Sequence, residues 1–156
     1  MRHERKAAVG SYRRKAESSG DIDVLIKIPE KYSKKEQKEL FETIVESMVE
    51  DEYMIDVLSQ GEKKVLGYAK IKKGAKVRRI DLLATPEKEY PYAVLYFTGS
   101  DKFNIEARKE AIKKGLSLNE HGFTALNDQV KPPKKIKTEE DIFKVLGMTY
   151  LPPNKR

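Results

Sequence analysis

The sequence predicts an α+β fold, with a mixed β-sheet in its first half and a small carboxy-terminal lobe of helices and strands. Runs of branched residues over 22–26, 54–58 and 77–84 are typical of strands. Apolar residues recur at helical spacing over 40–49, which predicts a helix that covers the sheet. At 156 residues, the chain is long enough to bury a core in one domain or two small lobes.

Composition restricts the classes of function. The net charge of +7 favours a polyanionic partner, with nucleic acid the leading candidate, although such a charge also serves solubility. The absence of cysteine excludes disulfides, thiol catalysis and thiolate zinc sites. His3 and His121 are far apart in the sequence, so a histidine metal site is not expected. No stretch has the apolar core of a signal peptide or the length of a membrane span.

In chain order, the first half is predicted to be a series of strands around one helix. A short strand over 7–9 leads into a Gly-Ser turn, and residues 22–26 form the next strand. Ser33 with Glu36, three residues later, is typical of a capping box at the start of the helix. Further strands are expected over 54–58, 63–71 and 77–84.

The second half predicts three helices and a hairpin. Thr85 followed by Pro86 is typical of a helix start, so we expect a helix over 87–97 even though it contains Pro91. The next helix is expected to begin at Ser100 or Asp101 and to end at Gly115. Residues 116–119 and 123–126 are expected to form the two strands of a hairpin. Thr138 with Asp141 predicts the start of the last helix.

Three aspartates lie at the start of, or within, predicted strands. Asp21 and Asp23 share one face because side chains alternate along a strand. Asp81 lies among apolar residues, where an unpaired carboxylate is costly. If the two strands are neighbours, the three carboxylates could hold divalent ions such as Mg²⁺ or Mn²⁺, which prefer oxygen ligands. The alternatives are a solvated strand end for the first pair and a surface ion pair between Asp81 and Arg79.

A Gly-Ser pair and two arginines precede the first aspartates and predict contacts with phosphate. Gly10 lets the backbone approach a ligand closely, and Ser11 adds a hydroxyl and an N–H donor. Arg13 and Arg14 would alternate faces in an extended chain, so we expect only one of them, Arg14, to face the ligand. A guanidinium matches phosphate oxygens two at a time.

These residues carry a resemblance to a known family. Gly10-Ser11 followed by Asp21-Ile22-Asp23 resembles the signature of the nucleotidyltransferase superfamily, and the string over 10–25 resembles the palm of family X DNA polymerases. Arg-Arg-Ile-Asp over 78–81 resembles the strand with the third palm aspartate. Tyr-Phe-Thr-Gly-Ser over 96–100 resembles the nucleotide-binding motif, and residues 138–156 resemble the terminus of the family.

The resemblance implies a catalytic palm over 1–86, a nucleotide-binding lobe over 87–156, and template-directed addition of deoxynucleotides to a primer 3′-hydroxyl in short-gap repair. Asp21 and Asp23 would then bind both metal ions. Asp81 would bind the catalytic ion and help the primer hydroxyl lose its proton. The implied substrates are deoxynucleoside triphosphates and a primer–template or gapped DNA.

It also implies a set of binding residues. The backbone over 96–99 would crowd the sugar 2′ position, which favours deoxynucleotides, and Arg108 would contact the template strand unless it pairs with Glu106 or Glu110. The implied nucleotide-binding residues are Gly10, Ser11, Arg14, Gly20, Tyr96, Phe97, Gly99, Asp101 and Asn104, and the implied DNA-binding residues are Arg79 and Arg108.

Some features depart from the family. Leu83 stands where a family member has an arginine that can pair with a catalytic aspartate in the idle enzyme, so that switch is not expected here. His121 stands where the family often has tyrosine, and we expect it to support the nucleotide-binding helix. The alternatives for function are a nucleotidyltransferase that acts on RNA ends or a small molecule, and a non-catalytic DNA-binding fragment.

The given sequence does not contain the amino-terminal lyase and DNA-binding region of the resembled polymerases, so we expect either a very reduced member of the family or a fragment. We therefore expect no lyase activity and weak, salt-sensitive DNA binding, because fewer basic groups neutralise phosphates. We also expect a monomer with no membrane partner. An intracellular location is expected, in the nucleus if the source is eukaryotic and otherwise in the cytoplasm or a virus.

Overall fold

The structure, a computed structural model, describes residues 6–15, 21–70 and 74–156. These residues form two compact units. The first comprises 6–8, 21–70 and 74–87, and the second comprises 9–15 and 88–156. The sequence places residues 9–15 in the first lobe. In the structure they group with the second unit because Arg13 within them bonds to Thr98 and Glu139.

The first unit is built on a five-stranded sheet. Its strands are β1 (Lys6–Val9), β2 (Asp21–Ile28), β3 (Met54–Gln60), β4 (Lys64–Ala69) and β5 (Arg78–Pro86). They lie in the order β1-β2-β5-β4-β3. β2 and β5 are parallel, whereas β4 is antiparallel to both β3 and β5, so the sheet is mixed, as expected.

One helix, α1 (Lys34–Glu50), covers this sheet. It begins with the predicted capping box, in which the Glu36 N–H donates to Ser33 Oγ at 3.2 Å and the Ser33 N–H donates to Glu36 Oε2 at 2.8 Å. Phe41 and Val45 are buried in one core with strand residues such as Leu82. Apolar burial against the sheet therefore fixes the helix in place.

The helix start predicted at Thr85 and Pro86 is wrong. Both residues end β5, where they are register partners of Lys27 and Ile28 on β2, so strand pairing overrides the local helix signal. The next helix, α2 (Tyr90–Thr98), instead has its proline, Pro91, in the first turn. A proline costs least there because the N–H that it lacks would have no helical partner.

The second unit packs three helices against a two-stranded hairpin. The elements of this unit are α2, α3 (Asp101–Lys113), β6 (Leu116–Asn119), β7 (Gly122–Ala125), α4 (Glu139–Leu146) and a 3₁₀ turn over Pro153–Lys155. Ser100 Oγ accepts from the Phe103 N–H at 3.3 Å and caps α3, and Thr138 with Asp141 forms the predicted capping box of α4.

No helix in the described ranges is long and apolar enough to cross a membrane.

Candidate active site

The three predicted aspartates lie on two neighbouring strands of the first unit. Asp23 on β2 is the register partner of Asp81 on β5, and Asp21 is the partner of Arg79. Partners on adjacent strands lie about 4.8 Å apart and point to the same face of the sheet, as do residues two apart on one strand. One face of the β2–β5 pair therefore holds three carboxylates and one guanidinium.

The electrostatics of this face disfavour a charged Asp23. Partial burial raises the pKa of the Asp23 carboxyl above 3.8, and the nearby carboxylates of Asp81 and Asp21 raise it further, while the Lys64 ammonium opposes the shift. An ionised carboxylate that is partly desolvated and faces like charges gains from any added cation. The positive charges of Lys64 and Arg79 thus do not balance the three carboxylates of this face.

The ion pair between Asp81 and Arg79, weighed above as an alternative, is present. Arg79 Nε lies 3.5 Å from Asp81 Oδ1. Both atoms are buried, and neither has a hydrogen-bond partner, because the pair is too long and misaligned for one. Asp81 Oδ1, next to Asp23, is therefore a buried carboxylate oxygen that accepts no hydrogen bond. A hard cation can satisfy such an oxygen.

The donor chemistry of this face fits magnesium or manganese. It offers only carboxylate oxygens, which hard divalent ions prefer, and it has no sulfur or imidazole ligand of the kind that zinc uses. Across the described residues, no group of three or more acidic or histidine side chains is arranged as a ready-made metal site.

In the second unit, the segment after Gly10 is a turn. The prediction that Arg13 and Arg14 point to opposite faces assumed an extended chain and does not apply to it. The Arg14 N–H donates to the Gly10 carbonyl at 3.2 Å, and the Lys15 N–H donates to the Tyr12 carbonyl at 3.1 Å. Ser11 lies in this turn, whereas Gly20 lies outside the described residues.

Because the segment turns, both guanidiniums reach the same residue. Arg13 Nη1 donates to Thr98 Oγ1 at 2.7 Å, and Arg14 Nη1 donates to the Thr98 carbonyl at 2.6 Å. Arg13 also bonds Glu139, whereas no carboxylate of the described residues pairs with Arg14. The charge of Arg13 is thus neutralised, and that of Arg14 remains for an anion.

Glu139 and Arg156 are central to this unit, and sequence reasoning missed both. Glu139 is buried and accepts from Arg13 and from Arg156, whose side chain is fully buried. The Arg156 guanidinium also lies 5.5 Å from the ring centroid of Phe103 and 5.2 Å from that of Phe143. Buried charges require such partners, but no sequence pattern links residues this far apart.

The aromatic motif of the second unit spans the end of α2 and the turn into α3. Gly99 has φ +66°, which favours glycine, and a Cβ placed there would lie 3.1 Å from Arg14 Nη1, so a larger residue would press on the Arg14 guanidinium. The rings of Tyr96 and Phe97 meet edge to face, with centroids 5.0 Å apart. Asn104 Nδ2 donates to the Tyr96 carbonyl at 2.9 Å and so ties α3 to the motif.

The remaining predicted residues lie on the helices of this unit. The Arg108 guanidinium lies over the Tyr96 ring, 5.4 Å from its centroid. The acidic residues considered as its alternative partners bind lysines, Glu106 pairing with Lys109 at 3.7 Å and Glu110 with Lys113 at 2.8 Å. Asp101 is exposed in the first turn of α3.

His121 contacts acidic residues of its own unit. Its Nδ1 bonds Glu89, the N-cap residue of α2, and its Nε2 lies 3.6 Å from Glu120 Oε1. These contacts tie the hairpin to the start of α2.

Comparisons with known proteins cover nearly the whole chain. The family model described as DNA polymerase beta palm matches residues 2–87, and the one described as DNA polymerase beta thumb matches residues 93–156. The crystal structure of Leishmania infantum polymerase beta in a ternary P/T complex aligns with a TM-score of 0.80 and 29% identity, covering 97% of this chain and 66% of that one.

Two relatives are similar in sequence. DNA polymerase lambda of Rattus norvegicus is 35% identical over 96% of this chain, and the match spans 28% of that protein. Repair DNA polymerase X of a tick isolate of African swine fever virus is also 35% identical over 96% of this chain, and there the match spans 79%. The chain therefore corresponds to less than a third of the length of the rat protein and to most of the viral one.

Proposed function

The chain belongs to the family X DNA polymerases, and from this premise we propose that it is a template-directed DNA polymerase that adds deoxynucleotides to a primer 3′-hydroxyl in short-gap DNA repair. The names of its relatives support the proposal, since they are DNA polymerase lambda, repair DNA polymerase X and polymerase beta. The proposed substrates are deoxynucleoside triphosphates and a DNA primer–template or gapped DNA.

The observation that carries the proposal is the adjacency of Asp23 and Asp81 on parallel strands, with the pKa of Asp23 raised by partial burial and by the neighbouring carboxylates. We assign Asp21 and Asp23 to two Mg²⁺ ions, with Mn²⁺ as a substitute, and Asp81 to the ion at the primer. Bound divalent ions of this kind lower the pKa of a coordinated hydroxyl and neutralise phosphate charge.

The protein groups position the reactants for an in-line displacement. The primer 3′-oxygen forms a bond to the α-phosphorus, the bond to the leaving pyrophosphate breaks, and Asp81 assists removal of the hydroxyl proton. Little covalent chemistry is required of the protein in phosphoryl transfer, so positioning and charge neutralisation carry the rate enhancement.

Triphosphate binding is assigned to the Gly-Ser turn and Arg14. Arg14 retains its charge because its bond to Thr98 is to a carbonyl oxygen, and a guanidinium can bind two phosphate oxygens at once. The triphosphate contacts in this assignment are Gly10, Ser11, Arg14 and the backbone at Gly20.

The nucleoside is assigned to the aromatic motif and the start of α3. Gly99 permits close approach of the backbone, and Arg14 at the same turn would bring the triphosphate and the sugar to neighbouring positions. The proposed nucleoside contacts are Tyr96, Phe97, Gly99, Asp101 and Asn104.

For DNA, Arg79 is assigned to the primer end and Arg108 to the template strand. Arg79 forms only a misaligned pair with Asp81, and Arg108 rests on the Tyr96 ring, so neither guanidinium is held in a directed ion pair. The net charge of +7 adds non-specific attraction to DNA. We propose a monomer in an intracellular setting.

Primer extension on gapped DNA tests the proposal. With Mg²⁺, the parent should extend the primer, and Asp23→Ala should reduce the rate by roughly a thousandfold or more, as expected for loss of a metal ligand at the reaction centre. Asp128→Ala, an exposed aspartate of the second unit, is the matched control and should keep the parent rate. Equal activity of Asp23→Ala and the parent would refute the proposal.

The choice of nucleotide and template separates the alternative nucleotidyltransferase. A polymerase of this family should incorporate the deoxynucleotide complementary to the template and discriminate against ribonucleotides. Addition that ignores the template, or that prefers ribonucleotides on RNA ends, would favour the alternative instead.

A further inference from the structure

One segment of this basic chain is strongly acidic. Residues 39–62 contain eight acidic side chains and no lysine or arginine, whereas the whole chain has a net charge of +7. The segment runs from the middle of α1 through β3 and lies within the first unit. Acidic side chains repel nucleic acid, so DNA binding does not account for the negative charge of this segment.

The acidic segment forms an open groove between α1 and β3. The groove has a volume of about 430 Å³ and combines apolar and acidic side chains. Glu46 and Glu50 are exposed there, and neither forms an ion pair with any residue in the described ranges. The lining residues are Val45, Glu46, Val49, Glu50, Val57 and Gln60.

Large apolar side chains are exposed in the same region. Val49, predicted from the sequence to be part of the buried stripe of α1, is 45% exposed, and Tyr53, Ile55 and Leu58 are each about half exposed. The pairing of β3 with β4 has two register shifts, which interrupt the regular alternation of side chains along β3. Clustered exposed apolar groups with a polar rim are typical of protein-binding surfaces.

We propose that the α1–β3 groove is a docking site for a basic segment of a partner protein. Lysine or arginine side chains of the partner would pair with Glu46 and Glu50, and an apolar anchor between them would pack on Val49 and Val57. The occupant follows from charge complementarity, because unpaired carboxylates around an apolar groove select a cationic, amphipathic ligand.

The groove is separate from the candidate active site. β3 is the edge strand of the sheet, and β4 lies between it and β5, which carries Asp81. A partner on the α1–β3 groove could therefore remain bound while the carboxylates of β2 and β5 hold a substrate.

A random library of displayed short peptides tests the proposal with the full chain as bait. The selected peptides should combine lysine or arginine with aliphatic or aromatic residues. Their affinity should fall roughly tenfold or more for the double variant Glu46→Lys/Glu50→Lys. Glu106→Lys/Asp128→Lys changes the net charge equally at exposed sites of the second unit and should bind like the parent.

A second variant separates docking in the groove from attraction by charge alone. Val49→Ser keeps every charge and should also weaken the selected peptides by roughly tenfold, because it removes an apolar contact that the anchor needs. Selection of neutral or acidic peptides, equal affinity for the Glu46→Lys/Glu50→Lys variant, or an unchanged affinity for Val49→Ser would each overturn the proposal. Concentration-dependent dimerisation in sedimentation that the Glu46→Lys/Glu50→Lys variant abolishes would assign the groove to a second copy and would also overturn it.

Discussion

Asp23 and Asp81 are register partners on the parallel strands β2 and β5 and lie on one face of the sheet, where Arg79 pairs with Asp81. This relationship disfavours ionisation of Asp23 in the protein without metal. A bound cation would therefore be favoured at this place. The same geometry should therefore affect stability, pH dependence and activity, each of which can be measured separately.

Replacing Asp23 with asparagine should stabilise the protein at neutral pH when a chelator is present. The folded pKa of Asp23 is above 3.8, so folding favours the protonated form, and stability falls as the pH rises from about 4 through the folded pKa. Because the group is only partly buried, water screens the effect, and we expect a gain of at most about 1 kcal/mol.

Urea unfolding at mildly acidic and neutral pH measures this difference. The parent should lose more stability between the two conditions than Asp23→Asn does, and addition of Mg²⁺ should stabilise the parent more than the variant. Two proteins with the same pH dependence would show that the carboxylates do not interact.

Removing the Glu139 carboxylate should destabilise the second unit strongly. Glu139→Gln leaves the buried guanidinium of Arg156 without its counter-ion and weakens the hold on Arg13, which should cost about 3 kcal/mol. Glu140→Gln, at the adjacent exposed position of α4, should change the unfolding free energy by less than about 0.5 kcal/mol. Similar unfolding curves for the two variants would contradict the role of the network.

Gly99→Ala should impair nucleotide binding. Its φ of +66° and ψ of −153° lie in a region that glycine alone adopts readily, at a cost of about 1–3 kcal/mol to other residues. The added Cβ would also lie 3.1 Å from Arg14 Nη1. If Arg14 binds the triphosphate, its displacement should raise KM for the deoxynucleotide roughly tenfold, which corresponds to about 1.4 kcal/mol.

Gly74→Ala is the matched control for this prediction. Gly74 also has a positive φ, +81°, but no atom of the residues that the structure describes lies within 4 Å of the position of its Cβ. The Gly74→Ala substitution should lower stability and leave KM unchanged. A KM for Gly99→Ala equal to that of Gly74→Ala would show that the contact with Arg14 has no part in binding.

Local patterns in the sequence predicted the capping boxes and the family correctly. The capping boxes at Ser33 and Thr138 are confirmed, because a cap depends on residues only three positions apart. The family is confirmed by the matching models, and the motifs over 10–25 and 96–100 had indicated it because they are long and specific.

Features that depend on distant residues could not be predicted in this way. Thr85 and Pro86 carry a helix-start pattern, but pairing with β2 extends the strand through both. The partners of Glu139 are 126 and 17 positions away, so the buried network left no periodic signal in the sequence. The roles assigned to individual site residues stay predictions until variants are measured.

Strands β2 and β5 should act as one reaction centre. A double-mutant cycle of primer extension on gapped DNA with Mg²⁺ measures the coupling between Asp23 and Asp81. Asp23→Ala and Asp81→Ala should each reduce the rate by roughly a thousandfold, and the double variant should be little worse than either, because groups that act together are not additive. If Asp81→Ala extended primers at the parent rate, or if the two losses multiplied, the carboxylates of β2 and β5 would not form one centre.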